Sequence, residues 1–228
     1  MDLRAHYDML NLEARRAVEL AGFDFDTQIN DPHDDRRGLT LLFRPDEALA
    51  NSFGGFTSAI QDVLPGHYYY SRSDFHVTVM PIVSCYSGFS CDGLDLDAYR
   101  SLIQDAIAGV GSIPIQFTGV FMSPSCLMIR GYPQNNELEK LRNNLRVAFG
   151  GSNLERSLDK RYKLVTAHCT VVRFQQEVVA PAAFWEVMQH FSAFDFGMQV
   201  FEDLEFVFND WYQRVELVKR LANFKLGE

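Results

Sequence analysis

No uninterrupted apolar run in the 228 residues approaches the roughly 18 needed for a membrane-spanning helix. The opening Met1-Asp2-Leu3-Arg4-Ala5-His6 carries an acid early and lacks an apolar h-region, so no secretory signal is expected. Cysteines are few, at 85, 91, 126 and 169. None forms a CxxC pair or a metal-like spacing, and they read as reduced structural thiols of a cytoplasmic protein, with a Cys85–Cys91 loop disulfide as the alternative. Basic residues are in deficit, with 21 Lys and Arg against 30 Asp and Glu for a net charge of −9. That balance argues against clamping of long duplex nucleic acid, which needs many cations facing phosphates, and with no spanning run no membrane partner is expected. It leaves room for a small anion in a local pocket.

Apolar mass, by contrast, is plentiful. Hydrophobic residues make up 47% of the chain, with 19 Phe and 9 Tyr. Burial on that scale offsets chain entropy and excludes disorder as the dominant state. The length suits one large domain or two small ones.

Residues 3 to 21 read as a helix with Leu3, Leu10, Ala14, Ala17, Val18 and Ala21 on one stripe, stopped by Gly22. A polar connector from Asp24 to Gly38 follows. Strands are expected at Leu39–Phe43, Tyr68–Tyr70, Phe75–Val83, Ile113–Phe121, Cys126–Gly131 and Lys163–Phe174. Helices are expected over 46–63, 96–108, 135–149 and 181–191, and Phe196–Phe208 with Tyr212–Phe224 reads as a closing hairpin around Asn209-Asp210. Two stretches share an order of elements. Leu39–Pro45 is a strand ending in proline, then a helix, then a strand with His76; Cys126–Pro133 is the same, ending in a strand with His168. This pattern is that of a diverged strand–helix–strand duplication.

The two histidine strands read Phe75-His76-Val77-Thr78-Val79 and Ala167-His168-Cys169-Thr170-Val171. Residues two apart on a strand share a face, so each presents an imidazole and a hydroxyl roughly 7 Å apart, with the intervening residues anchored in a core. One such pair alone reads most simply as a packed or surface histidine. With 7 Thr among 228 residues and 6 His, two His-x-Thr hits arise by chance at roughly the 1% level. Paired imidazoles suit phosphodiester cleavage without a metal: one takes a proton from water and the other gives one to the leaving oxygen. Threonine hydroxyls would donate to the non-bridging oxygens. A metal site is the chemical alternative, but a third protein ligand is not evident.

His76-Val77-Thr78-Val79 and His168-Cys169-Thr170-Val171 resemble the paired signature of the two-histidine (2H) phosphoesterase superfamily. That group includes RNA 2′,3′-cyclic phosphodiesterases once called 2′-5′ RNA ligases and plant cyclic nucleotide phosphodiesterases. The resemblance covers roughly residues 38 to 225. It implies a bilobal α+β domain over 38–228 with two pseudo-symmetric antiparallel sheets, outer helices and a cleft between the motifs, preceded by a helix and connector over 1–37. It further implies catalytic roles for His76, Thr78, His168 and Thr170 with no cofactor and no metal. Arg173 falls where many bacterial members carry an arginine in H-x-T-x-x-R, whereas the first motif continues as Met80-Pro81-Ile82 without the usual ending. The N-terminal helix lies outside the family core.

Arg173 is a candidate phosphate contact, with a rim ion pair as the alternative, because offsets of two and five do not share one strand face. Arg44 and Tyr132, each just before a proline at a strand end, are further substrate-binding candidates, Tyr132 by stacking on a base; a surface role is the competing reading. The expected activity is hydrolysis of a 2′,3′-cyclic phosphate or similar phosphodiester of a nucleotide or RNA 3′ end. The alternatives are a nucleotide or RNA-end binding module without turnover, and a structural domain with coincidental motifs.

Overall fold

Three aspartates start three helices. In the computed structural model, which describes residues 2–160 and 162–227, Asp2, Asp46 and Asp95 accept hydrogen bonds from first-turn amides and so cap α1 (Leu3–Ala21), α2 (Glu47–Val63) and α3 (Leu96–Ile107). Two further helices are α4 (Glu137–Gly150) and α5 (Pro181–His190). Gly22 ends α1 at φ +82°, a backbone region that L side chains rarely adopt. The strands are β1 (Arg37–Phe43), β2 (Tyr68–Tyr69), β3 (Val77–Tyr86), β4 (Ile113–Ser123), β5 (Cys126–Pro133), β6 (Cys169–Arg173), β7 (Asp195–Phe201), β8 (Asp203–Asp210) and β9 (Lys219–Lys225).

These strands form two antiparallel sheets in the orders β3-β1-β8-β9 and β2-β6-β5-β4-β7. The fold is α+β and bilobal. The duplication expected from element order is visible as topology. β1 pairs with β3 as β5 pairs with β6, and each first strand has its other edge on a strand of the same sheet, β8 or β4. The helices cross over: α2 of the first unit packs on β6, β7 and α5, whereas α4 of the second packs on α3 and β3. Each lobe therefore depends on the other unit's helix. One hydrophobic core runs through both, and Phe43 of β1 stacks on Phe201 of β7 at 4.9 Å between ring centroids.

Three expected elements differ. The strand read over Lys163–Phe174 is ordered as β6 only from Cys169. Upstream of it the Tyr7 hydroxyl of α1 stands between the strands, donating to the Gly131 carbonyl (3.1 Å) and accepting from the Ala167 amide (3.0 Å). A side chain thus takes the place of the next ladder bond. The continuous strand read over Phe196–Phe208 is two strands that part at Glu202, β7 in one sheet and β8 in the other. Apolar residues on both sides of that crossing hide it from the sequence pattern. The hairpin joins β8 to β9, but its turn spans residues 211–218 and not Asn209-Asp210, which end β8, and the strand read over Tyr212–Phe224 begins only at Lys219.

Candidate active site

Each motif histidine sits immediately before the first ladder residue of its strand, His76 ahead of β3 and His168 ahead of β6. Each strand then carries a bulge at the same offset. On β3 the pairing steps from Leu42↔Thr78 to Leu41↔Met80, passing over Val79; on β6 it steps from Met128↔Thr170 to Leu127↔Val172, passing over Val171. The skipped residue is three past the histidine in both cases. An extra residue reverses the alternation of faces. The residues five past each histidine, Pro81 and Arg173, therefore return to the face of the His and Thr. The parity argument against Arg173 applies only to a regular strand.

His76, Thr78, His168, Thr170, Pro81 and Arg173 all line one cleft of about 230 Å³. The intervening Val77, Val79, Cys169 and Val171 are buried in the core beneath, and the Cys169 thiol meets the backbone of His76. The motif strands thus lie back to back across the lobe boundary, with both imidazoles at the cleft.

The Nδ1 of His76 is 2.8 Å from the Asp74 carbonyl oxygen, which can only accept; Nδ1 is therefore protonated and Nε2 is the free nitrogen. The Nδ1 of His168 lies 2.9 Å from the Thr166 hydroxyl, and the ring stands edge-on to Phe121. Desolvation pushes both imidazoles below the usual value, His76 to about 3 and His168 to about 4. Arg44, His168 and Arg173 add to the effect on His76, and Arg142 adds to that on His168. Without a bound anion both rings are neutral near pH 7.

Arg142 escapes the sequence reading. It occupies the inward face of α4 beside Leu138, Leu141 and Leu145 and is 3% exposed. Its guanidinium donates to the carbonyls of Val79 (2.9 Å), Thr78 (3.0 Å) and Thr166 (2.8 Å), clipping the two motif segments together from below. Its signal was available as an arginine one residue past Leu141 and four past Leu138, within an apolar helical stripe. A buried cation next to a pair of neutral imidazoles favours a negative charge in the cleft.

The three substrate-binding candidates separate. Arg173 lines the cleft, and its Nε donates to the Tyr70 hydroxyl at 2.8 Å while Nη1 pairs with Asp26 at 3.5 Å. Arg44 does not line the cleft. It pairs with Glu205 at 3.4 Å and reaches the carbonyls of Ser73, Asp74 and Phe75, bracing the turn that leads into His76. Tyr132 lies under α1, edge-on to Tyr7 with Arg4 over its ring, and is not positioned to stack on a ligand in the cleft. On the lobe carrying His76, Asn209 of β8 and Trp211 and Gln213 of the turn after it add to the cleft wall, with Gln213 held at φ +61°. Among the described residues no group of three His, Cys, Asp or Glu side chains is placed to hold a metal ion, and no helix is long and apolar enough to cross a membrane.

Neither a family model nor a curated protein sequence matches the chain. Solved structures do. TT0787 of Thermus thermophilus superposes with a TM-score of 0.61 at 14% identity, over 83% of this chain and 97% of that one. A structure described as a phosphoesterase gives 0.57 at 11% identity, and E. coli LigT complexed with 3'-AMP gives 0.55 at 12%; each covers 85% of this chain and 99% of the other. The fold is that of LigT. Nearly the whole length of each of these three structures is matched, while about one-sixth of the present chain has no counterpart in them. The bilobal arrangement expected from the two-histidine resemblance is therefore met in the architecture.

Proposed function

We propose that the chain is a metal-independent phosphodiesterase that opens a 2′,3′-cyclic phosphate, or hydrolyses a similar phosphodiester, on a nucleotide or RNA end. The observation that carries this reading is the convergence of both His-x-Thr pairs on one cleft, at matching positions of two matching strands. The likeness to LigT, solved with 3'-AMP, supports the same substrate class. The −9 net charge favours a small or terminal phosphodiester over a long duplex.

In this mechanism the anionic diester enters between the imidazoles and draws one proton onto the pair. His76, with Nδ1–H held by the Asp74 carbonyl, uses Nε2 as general base and removes a proton from water. The water oxygen attacks phosphorus. As the P–O bond to the leaving sugar oxygen breaks, His168 in its protonated form delivers a proton to that oxygen. Thr78 and Thr170 donate to the non-bridging oxygens, whose charge grows in the transition state. Arg173 contacts the phosphate, and Arg142 positions both strands. The net proton count is unchanged: His76 ends protonated and His168 neutral.

The test is hydrolysis of 2′,3′-cyclic nucleotides in EDTA. Wild type turns over, and His76→Ala and His168→Ala each lose about 10²–10⁴ in kcat. Full activity in either variant, or no turnover of any cyclic phosphate or 2′-5′ linked substrate by wild type, contradicts the proposal. Tight binding of a 2′- or 3′-phosphate without hydrolysis would instead identify a binding module.

A further inference from the structure

A second cavity, of about 880 Å³, opens from the cleft on the His168 side. Leu10, Ala14 and Ala17 of α1 form one wall, and Phe121 and Met128 from the face of the β6-β5-β4 sheet form another. His168, Thr170, Arg173 and Trp211 border both this cavity and the catalytic cleft. A diester with its phosphorus between the two histidines therefore has a route for one substituent into this space. The wall is fixed in advance. Tyr7 bridges Gly131 and Ala167, Asn11 accepts from the Met122 amide at 3.1 Å, and Asp8 pairs with Arg130 at 2.7 Å.

We infer that this cavity is a nucleobase subsite and that α1, the segment outside the family core, is its specificity-determining wall. The inference rests on the phosphodiesterase reading and deepens it. The chemistry of the lining selects among substituents. Phe121, Met128 and Leu10 offer apolar faces, while His6, Glu13, Lys163 and Ser125 add polar groups to the same lining. A flat heteroaromatic ring matches both, with apolar faces for the walls and polar edges for the polar lining. An alkyl chain would strip water from those polar groups without replacing it, and a bare polyol would set its own hydroxyls against Leu10, Phe121 and Met128.

Two substrates and two variants test this. The substrates are adenosine 2′,3′-cyclic phosphate and glycerol 1,2-cyclic phosphate, which carries the reacting group without a base. Ala17→Trp fills the cavity and is expected to lower the ratio of kcat/KM for the adenosine over the glycerol compound at least 10-fold. Leu10→Ala removes a wall contact and is expected to raise KM for the adenosine compound with little change in kcat. Loss of activity on both substrates in equal proportion overturns the inference, as does an unchanged ratio, or turnover of an octyl-substituted cyclic phosphate as efficient as that of the adenosine compound. Calorimetry with adenosine, which has no phosphate, separates this inference from the reading beneath it. Adenosine binding that Ala17→Trp abolishes supports the subsite even where wild type hydrolyses no cyclic phosphate, an outcome that defeats only the proposed activity. Hydrolysis of cyclic phosphates with no preference for a base and no adenosine binding defeats the subsite alone.

Discussion

At the residue scale, the site depends on groups that hold one protonation state or one position. Arg142 illustrates both. Burial lowers its pKa to about 10, still far above neutral pH, so it remains a cation among carbonyl oxygens. Replacement by Met, of similar length, leaves the Thr78, Val79 and Thr166 carbonyls without their donor. Unpaired buried acceptors each cost about 1–3 kcal/mol, so Arg142→Met is expected to lower stability by about 3 kcal/mol or more in urea unfolding. In the proposed mechanism the hydroxyls of Thr78 and Thr170 act on the transition state instead. Thr78→Val and Thr170→Val are expected to reduce kcat by about 10²-fold in steady-state assays while leaving the unfolding midpoint near that of wild type. The sequence shows the two His-x-Thr pairs because residue type and short spacing suffice to recognise them. It shows Arg142 only to a reader who asks what an arginine does inside an apolar stripe. It does not show that Tyr132 lies beneath α1, since that depends on where a helix more than a hundred residues away comes to rest.

At the element scale, the matched bulges in β3 and β6 are what allow the residue five past each histidine to face the cleft. A bulge depends on strand pairing, and a period-two reading of either strand alone misses it. The consequence is an asymmetric site in a symmetric frame, with Arg173 on one side and Pro81 on the other. Element order gave away the duplication, but the exchange of α2 and α4 between lobes is a packing outcome with no local signature. The contact of α1 with β5 and the segment before His168 is a further test at this scale. Tyr7→Phe leaves the Gly131 carbonyl and the Ala167 amide unpaired next to His168. It is expected to cost about 1–3 kcal/mol in stability and to lower kcat as well, measured by thermal unfolding and steady-state assay. Gly131 allows the close approach of these strands: a Cβ there would stand 1.9 Å from the Ala167 carbonyl oxygen. Gly131→Ala is expected to destabilise by about 1–3 kcal/mol or to prevent accumulation of folded protein.

At the scale of the whole molecule, an acidic protein gathers Arg142, Arg173 and Lys160 around the floor and rim of one cleft, with Arg44 behind it. The two imidazoles, neutral in the folded protein at neutral pH, link pH to stability. Their folded values, about 3 and about 4, lie below the ordinary 6.5, so the unfolded chain takes up protons first as pH falls. Their contribution to stability is complete above pH 6.5 and declines as pH falls from there toward 3. The unfolding temperature is expected to drop over that window, and less steeply in a His76→Gln, His168→Gln double variant. An equal slope in both proteins would show that the depressed values belong to other groups. An anion in the cleft acts in the opposite direction, raising both values and drawing in a proton.

The central claim is that His76 and His168 act on one phosphate, and imidazole ¹⁵N NMR during titration with 3′-AMP at pH 7 addresses it most directly. Both rings are predicted to shift with a single dissociation constant, and one is predicted to move from the neutral to the imidazolium pattern as the nucleotide binds. A response from only one ring, different constants for the two, or no change in protonation would contradict the account.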